Sequence, residues 1–400
     1  MSEADAIDPH TLLSAAAVRE RCGEVFALIE SGASDHFTFD PAALAPIADR
    51  VAALTRSRFA DGNVPFHSRW RHFEVGGHDR FASLAAARGW STPAEAARAM
   101  GDLAIVSVLL DAGAGPTWRY QEPATGETYA RSEGLAVASL ALFASGALSA
   151  VPADPLRADA EGLDSVSLEE FSAAFQVSEE NPLEGAEGRV ALLTGLANAT
   201  RLAPDLFASE DDPRPGGLID AAVAEAEDGA LPAATILSLV LEGLSPIWPS
   251  RIEVDGVSLG DTWRHPSLGL IPFHKLSSWL SLSLIEPLEV AGIAVTDLSG
   301  LPGLAEYRNG GLFIDGGALV MRNPPTAPVA PDDPLIVEWR AGTVALLDRI
   351  APMVNERLGA AHPLPAILEG GTWLAGRQIA KEKRADGGPP ITLASDGTVF

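Results

Sequence analysis

Residues 91–113 read STPAEAARAMGDLAIVSVLLDAG, and they set the fold class. Thr92 can cap a helix, Pro93 suits the first helical position, and Glu95 complements the positive end of the dipole. Residues 94–112 then read as helix, stopping near Gly113. The same grammar recurs outward from this stretch. Residues 132–147 read as the next helix. Upstream, 43–55 is apolar at helical spacing and is opened by Asp40-Pro41. In 11–31, Leu12, Leu13, Ala16, Val18, Val25, Leu28 and Ile29 repeat near 3.6. Downstream, Glu338-Trp339-Arg340 opens a helix through Val344, Leu347 and Ile350. A last helix, 364–384, ends on Lys381, Lys383 and Arg384, cations that suit a helix carboxyl end.

Strand signals are short and scattered. Residues 114–131 carry two aromatic, β-branched runs around Pro123-Ala-Thr-Gly126, which predicts a hairpin or ordered loop. Asp255-Gly256 inside 252–257 marks a tight turn. Gly311–Val320 is a third strand candidate. These pieces do not alternate with helices, so a doubly wound parallel sheet is disfavoured. The expected class is mainly α: a helical globular fold with a few short β-hairpins. Residues 1–113 read as an N-terminal helical region and 114–400 as a helical core carrying the site, or both as one continuous domain. The stretches 207–217 and 323–334 read as surface loops, because a helix resumes after each.

Composition narrows the function. The 400 residues carry 54 Asp+Glu against 28 Lys+Arg, a formal charge of −26. That balance argues against nucleic acid, whose phosphates need a basic footprint, and against an anionic membrane surface. Gly134–Ala153 is uncharged and long enough to span a bilayer. It is also rich in Ala, Ser and Gly, closed by Pro152 and flanked by Glu133 and Asp154, so it reads as a buried helix. The acidic N-terminus shows no secretory pattern. One cysteine, Cys22, fits a reducing compartment. The expected setting is cytoplasmic, away from membranes.

No HExxH, P-loop or GxGxxG after a strand occurs. His67, His72 and His78 with Asp79 match no standard zinc spacing, so neither metal nor cofactor is expected. The chemistry-bearing residues fall instead in clusters. Phe66–Glu74 gathers arginines and histidines around Trp70. Arg131–Gly134 places Ser132 as a potential cap. Trp248-Pro249-Ser250-Arg251 precedes Asp261-Thr262-Trp263, and Phe273-His274-Lys275 follows. Glu306-Tyr307-Arg308-Asn309-Gly310-Gly311, Glu338-Trp339-Arg340, and Glu369-Gly370-Gly371-Thr372-Trp373 with Arg377 complete the set. Six of the eight tryptophans lie near an arginine or acid, which suggests a concave polar site lined by aromatic rings. The paired glycines of the last cluster require close packing or ligand approach.

The runs Thr117–Tyr120, Arg131–Gly134, Asn181–Gly185, Phe273–Leu276, Glu306–Phe313, Glu338–Arg340, Glu369–Trp373 and Ser395–Phe400 resemble the uracil catabolism protein 4 family of fungi and bacteria, over nearly the whole chain. That resemblance implies a place in the uracil degradation that runs through ribosylurea and releases urea. Leu304–Arg308, a later Gly317-Ala-Leu319, and the helix with Glu338 and Arg340 are similar to the queuosine salvage N-glycosidases. Those are helical enzymes with a distant likeness to helix-hairpin-helix DNA glycosylases. Here Glu306 replaces their Asp, and Asn309-Gly310-Gly311 differs from their tripeptide, so base recognition does not carry over.

The implied activity is N-glycosidic hydrolysis of ribosylurea or its 5′-phosphate, a small nucleoside-like substrate. Breaking a ribosyl C–N bond develops positive charge on the sugar, which a carboxylate stabilises. Glu306 is the first candidate, Asp261 the second, and Glu338 a candidate acid for the leaving urea. Arg308 and Arg340 are candidates to bind phosphate or to hold the acid ionised. Trp263 and Trp339 are candidate walls, and His274 a candidate proton donor. Tyr307, Lys275 and Trp248 complete the expected lining. A different class, a protein that binds a pathway intermediate or partner enzyme without chemistry, would tolerate loss of Glu306 but not of the arginines. An amidohydrolase-like enzyme would want a metal or a nucleophile.

Overall fold

The computed structural model describes residues 8–111, 113–207, 212–247 and 252–394. Helices dominate them, and each strand takes part in a two-stranded pairing. The fold is mainly α.

Local signals set most boundaries. Thr92 accepts from Glu95 N at 3.2 Å, and the helix runs Pro93–Leu109. Asp40 opens a 3₁₀ turn, Pro41–Ala43, that leads into Leu44–Arg58. The continuous helix expected from residue 11 is instead a 3₁₀ turn, Pro9–Leu12, followed by Ala15–Glu30. Ser14 accepts from Ala17 N at 3.2 Å and starts the second helix afresh. Ser132 is not a cap: the helix is Arg131–Ala144, Ala130 holds the cap position, and Ser132 lies in the first turn. That helix covers only part of the uncharged stretch. Among the described residues no helix is long and apolar enough to cross a membrane.

The described chain divides into two compact units, each assembled from separated segments. Residues 8–67, 252–278 and 298–394 form the first; 68–247 and 279–297 form the second. Residue 113 lies inside the second unit.

In the first unit the helix Pro334–Leu358 is central. Asp333 accepts from Leu335 N at 2.8 Å, Pro334 takes the first position, and Gly359 ends it at φ 66°. Val337, Ala341, Val344, Leu347, Ile350 and Val354 form its buried stripe, against Ala15–Glu30 and Leu44–Arg58. Each large aliphatic side chain so buried contributes about 1.5–3 kcal/mol. The segment 364–383 breaks into Leu364–Ile367, a π-helical turn Leu368–Thr372, and Trp373–Lys383. Its glycines are packing devices. A Cβ on Gly370 would stand 2.8 Å from Thr55 Oγ1, one on Gly371 2.6 Å from Val51 O, and one on Gly376 1.9 Å from Arg308 O.

Gly311–Val320 is not a strand. The helix Tyr307–Asp315 takes its first half, and only Leu319–Met321 is extended, pairing antiparallel with Phe37–Phe39. Tertiary packing overrides the low helix propensity of the two glycines. A Cβ on Gly310 would meet Trp339 Nε1 at 2.6 Å. The Asp255-Gly256 turn does close a hairpin, Glu253–Val254 with Val257–Ser258, both turn residues having positive φ (51° and 80°). A further hairpin, Thr262–His265 with Gly269–Pro272, places Trp263 opposite Ile271.

The second unit holds Pro93–Leu109, Arg131–Ala144, Ala186–Leu202, Ala233–Leu244 and Ile285–Val290. It also holds the expected hairpin, Tyr120–Gln121 with Thr128–Tyr129, and one parallel pair, Ala230–Pro232 with Ala294–Thr296. Trp70 and Trp118 belong to its core. Each donates its indole N–H to a backbone carbonyl, of Ser283 at 2.8 Å and Phe175 at 3.0 Å. The aromatic clustering in the sequence therefore reflects core rings as much as any site.

Candidate functional site

Asp261 sits at the entry to the hairpin Thr262–His265/Gly269–Pro272, and Arg340 projects from the central helix. They meet in a two-pronged ion pair, Arg340 Nη1 and Nη2 each 2.7 Å from an Asp261 oxygen. Trp263 Nε1 donates to Oδ1 at 2.7 Å, and Lys275 N to Oδ2 at 3.0 Å. A carboxylate offers about four acceptor sites, and all four are in use. Burial pushes the Asp261 carboxyl up, but the charge and hydrogen bonds of Arg340 outweigh it and hold the group at about 2. A carboxylate so engaged fixes geometry. It joins the hairpin, the central helix and the first residue of the helix Lys275–Ser283.

Arg340 also reaches the Ala305 carbonyl, Nε to O 3.4 Å, one residue before Glu306. Glu306 is the N-cap of Tyr307–Asp315. Its oxygens accept from Arg308 N at 2.7 Å and from Asn309 N. The residue is 9% exposed. Burial raises its carboxyl above the ordinary value, against the pull of those two N–H groups and of the Lys275 charge. Asp261 and Glu306 thus hold their protons very differently, a pattern common to acid–base sites.

Glu369 lies in the π-helical turn. It accepts from Arg58 Nη2 at 2.7 Å and pairs with His67 Nδ1 at 2.9 Å. Burial acts to raise its carboxyl, but His67 and then Arg58 bring it down to about 2. The His67 ring lies 6.2 Å from that of Trp373, over which Arg377 stacks at 5.5 Å. π-turns are frequent at functional sites. The sequence clusters contain both His67 and Glu369, but a separation of 302 residues hides the pairing.

The remaining expected residues divide. Lys275 joins this group through its backbone bond to Asp261 and its charge on Glu306. Arg308 is buried, its Nη1 on Gly387 O at 3.0 Å and its cation over the Tyr307 ring at 4.7 Å. His274 is 1% exposed at φ 45°. Its Nε2 donates to Leu12 O at 2.9 Å, and burial lowers its proton affinity. Trp339 is 3% exposed, packed on Gly310. Glu338 faces a different group: it accepts from Ser34 Oγ and from His265 Nε2, the latter at 3.4 Å. Ser34 Oγ in turn accepts from His36 N and Phe37 N at 3.0 and 2.9 Å, so Glu338 braces a turn. Trp248 lies outside the described residues. Among the described residues no three His, Cys, Asp or Glu are grouped to hold a metal ion.

Residues 11–400 match a family described as protein of unknown function (DUF1688). The chain belongs to this family. It is 37% identical to "Uracil catabolism protein 4" of Lachancea kluyveri, over 97% of this chain and 98% of that protein. It is 38% identical to "Protein urg3" of Schizosaccharomyces pombe, again over 97% and 98%. These relatives bear out the family resemblance read from the sequence. Asp261, Glu306, Arg340, His67 and Glu369 all fall within the family's extent.

Proposed function

We propose that the chain serves uracil degradation and there hydrolyses the N-glycosidic bond of a ribosylurea or its 5′-phosphate, releasing urea. The name of the Lachancea relative supports the pathway. The observation that carries the chemistry is Glu306: a nearly buried carboxyl whose proton affinity burial raises, against the pull of the Arg308 and Asn309 N–H groups and of the Lys275 charge. Such an acid holds a proton where an ordinary glutamate has lost it. Urea leaves with the C–N electron pair and needs that proton. The carboxylate left behind then faces a sugar ring that has become positive, and stabilises it. Asp261 and Arg340 act as positioning groups, fixing Ala305 and Lys275 on either side.

A second reading has its own observation. Both Glu306 oxygens accept backbone N–H groups, as in an ordinary helix cap, which suits a protein that binds without chemistry. Purified protein, incubated with synthetic ribosylurea and its phosphate and assayed for urea with and without chelator, separates the two. Glu306→Gln is expected to fold and to release no urea. Unchanged release by that variant removes Glu306 from the reaction, and an inactive wild type favours binding alone.

A further inference from the structure

Glu306, Asn309 and Gly310 share one face of the first turn of Tyr307–Asp315, at the cap and three and four residues on. The backbone ties them together: Asn309 N donates to a Glu306 carboxylate oxygen, and Gly310 N to the Glu306 carbonyl at 2.9 Å. The Asn309 side chain is fully buried. Its Nδ2 faces Leu304 O at 3.4 Å, a long contact to a carbonyl that already accepts from Glu306 N at 2.9 Å. A carbonyl only accepts, so the NH₂ of the amide belongs on that side and Oδ1 on the other. Oδ1 has no hydrogen-bond partner among the described residues. Gly310 borders a second such atom. Trp339 is 3% exposed, its Nε1 lies 2.6 Å from where a Gly310 Cβ would stand, and its N–H likewise has no acceptor. Arg308 Nε is unpartnered too, but that side chain leads off to Gly387 O and over the Tyr307 ring.

Buried polar atoms are nearly always satisfied, so an orphaned acceptor and an orphaned donor at successive helix positions, one turn from Glu306, call for a ligand that offers the opposite pair. Neither atom is charged, which suits a neutral group carrying N–H beside C=O rather than a phosphate. We propose that Asn309 and Trp339 recognise the ureido end of the substrate: Asn309 Oδ1 accepts from its terminal NH₂, and Trp339 Nε1 donates to its carbonyl. This rests on the ribosylurea reading and deepens it, since the pair holds the leaving group with its linking nitrogen at the Glu306 carboxyl. The way in is the cap, where Glu306 keeps 9% of its surface exposed. An analogue without the terminal NH₂ leaves Oδ1 unpaired, and discrimination follows from that loss. Gly310 gains a second reason, because any side chain there displaces the indole N–H.

Reducing-sugar release is measured from ribosylurea and from N-ribosylacetamide, in which a methyl replaces the terminal NH₂, for wild type, Asn309→Leu and Trp339→Phe. Wild type is expected to favour ribosylurea by about 10–10²-fold in kcat/KM, and Asn309→Leu to lose that preference through ribosylurea alone. The unfolding temperature of Asn309→Leu should not fall, because the change removes a partnerless polar atom and Leu304 O keeps its bond from Glu306 N. Trp339→Phe keeps a ring against Gly310 and should lower kcat/KM for both substrates, which share the carbonyl. The indole ¹H–¹⁵N signal that Trp339→Phe removes should move when ribosylurea is added to full-length Glu306→Gln. Should Asn309→Leu fail to fold, that shift decides alone. Wild-type discrimination in Asn309→Leu, or an indole signal that ribosylurea leaves in place, overturns the inference while keeping Glu306 in the reaction. A wild type that releases no urea removes the hydrolytic reading; the subsite then stands if the indole signal still moves, and falls if it does not.

Discussion

Arg340 and Asp261, 79 residues apart, share a two-pronged ion pair with both contacts at 2.7 Å, and the guanidinium lies 4.1 Å from the centre of the Phe273 ring. Arginine suits this place because its planar fork matches a carboxylate while its face stacks on an aromatic ring. Arg340 is 3% exposed at its side chain and Asp261 23%. The pair is thus closed on the arginine side and partly open on the acid side.

Removing one partner leaves the other stranded. Asp261→Asn should destabilise the fold by about 3 kcal/mol at neutral pH, since a nearly buried guanidinium loses its counter-charge. The acid limb carries a second signature. The folded carboxyl titrates at about 2 against an ordinary 3.8. Its stabilisation is therefore present above pH ~4 and lost as the pH falls through ~2, about 2 kcal/mol in all. Urea unfolding at several pH values checks both. A variant as stable as wild type at neutral pH refutes the first expectation, and an unchanged acid slope refutes the second.

Glu306 has the opposite sign. Its folded carboxyl is raised above 4.5, so the fold favours the protonated form. Its contribution is complete below the unfolded value and fades as the pH rises through the folded one. The stability difference between wild type and Glu306→Gln should shift against wild type across that rise. A difference independent of pH would mean that the carboxyl is not perturbed.

The glycines divide into those the packing needs and those it does not. Gly376→Ala drives a methyl into the Arg308 carbonyl, 1.9 Å away, and should cost about 2–4 kcal/mol. Gly23 lies within Ala15–Glu30 with nothing inside 4 Å, so Gly23→Ala should stabilise by up to about 1 kcal/mol. Unfolding midpoints moving in opposite directions would support the packing account.

Cys22 is fully buried, and desolvation raises its thiol well above the ordinary value. Native protein should resist thiol reagents, and labelling should appear only with global unfolding. Labelling at the rate of a free thiol under native conditions would show that the helix Ala15–Glu30 opens locally.

Much of the framework is legible in the sequence itself. Caps at Thr92 and Asp40 and the Asp255-Gly256 turn act within a few residues, so local sequence reveals them. Tyr307–Asp315 was hidden because glutamate is an unusual cap and two glycines weaken the helix; packing on Trp339 restores it. Residue type and resemblance point to Asp261, Glu306, Lys275 and Arg340, and the fold gathers them. They point equally to Glu338, which turns toward His265. The His67–Glu369 pair is long-range, and no periodicity encodes it. The π-turn that presents Glu369 depends on glycines whose role only the facing helix explains.

The first unit draws on three separated stretches, and its histidine–carboxylate pair joins residues 67 and 369. On the ribosome, the early helices Ala15–Glu30 and Leu44–Arg58 emerge long before the central helix that buries their apolar faces. They must wait, exposed, until almost the whole chain has been made. A nascent chain stalled before residue 334 is therefore expected to expose apolar helix faces and to lack Arg340 and Glu369.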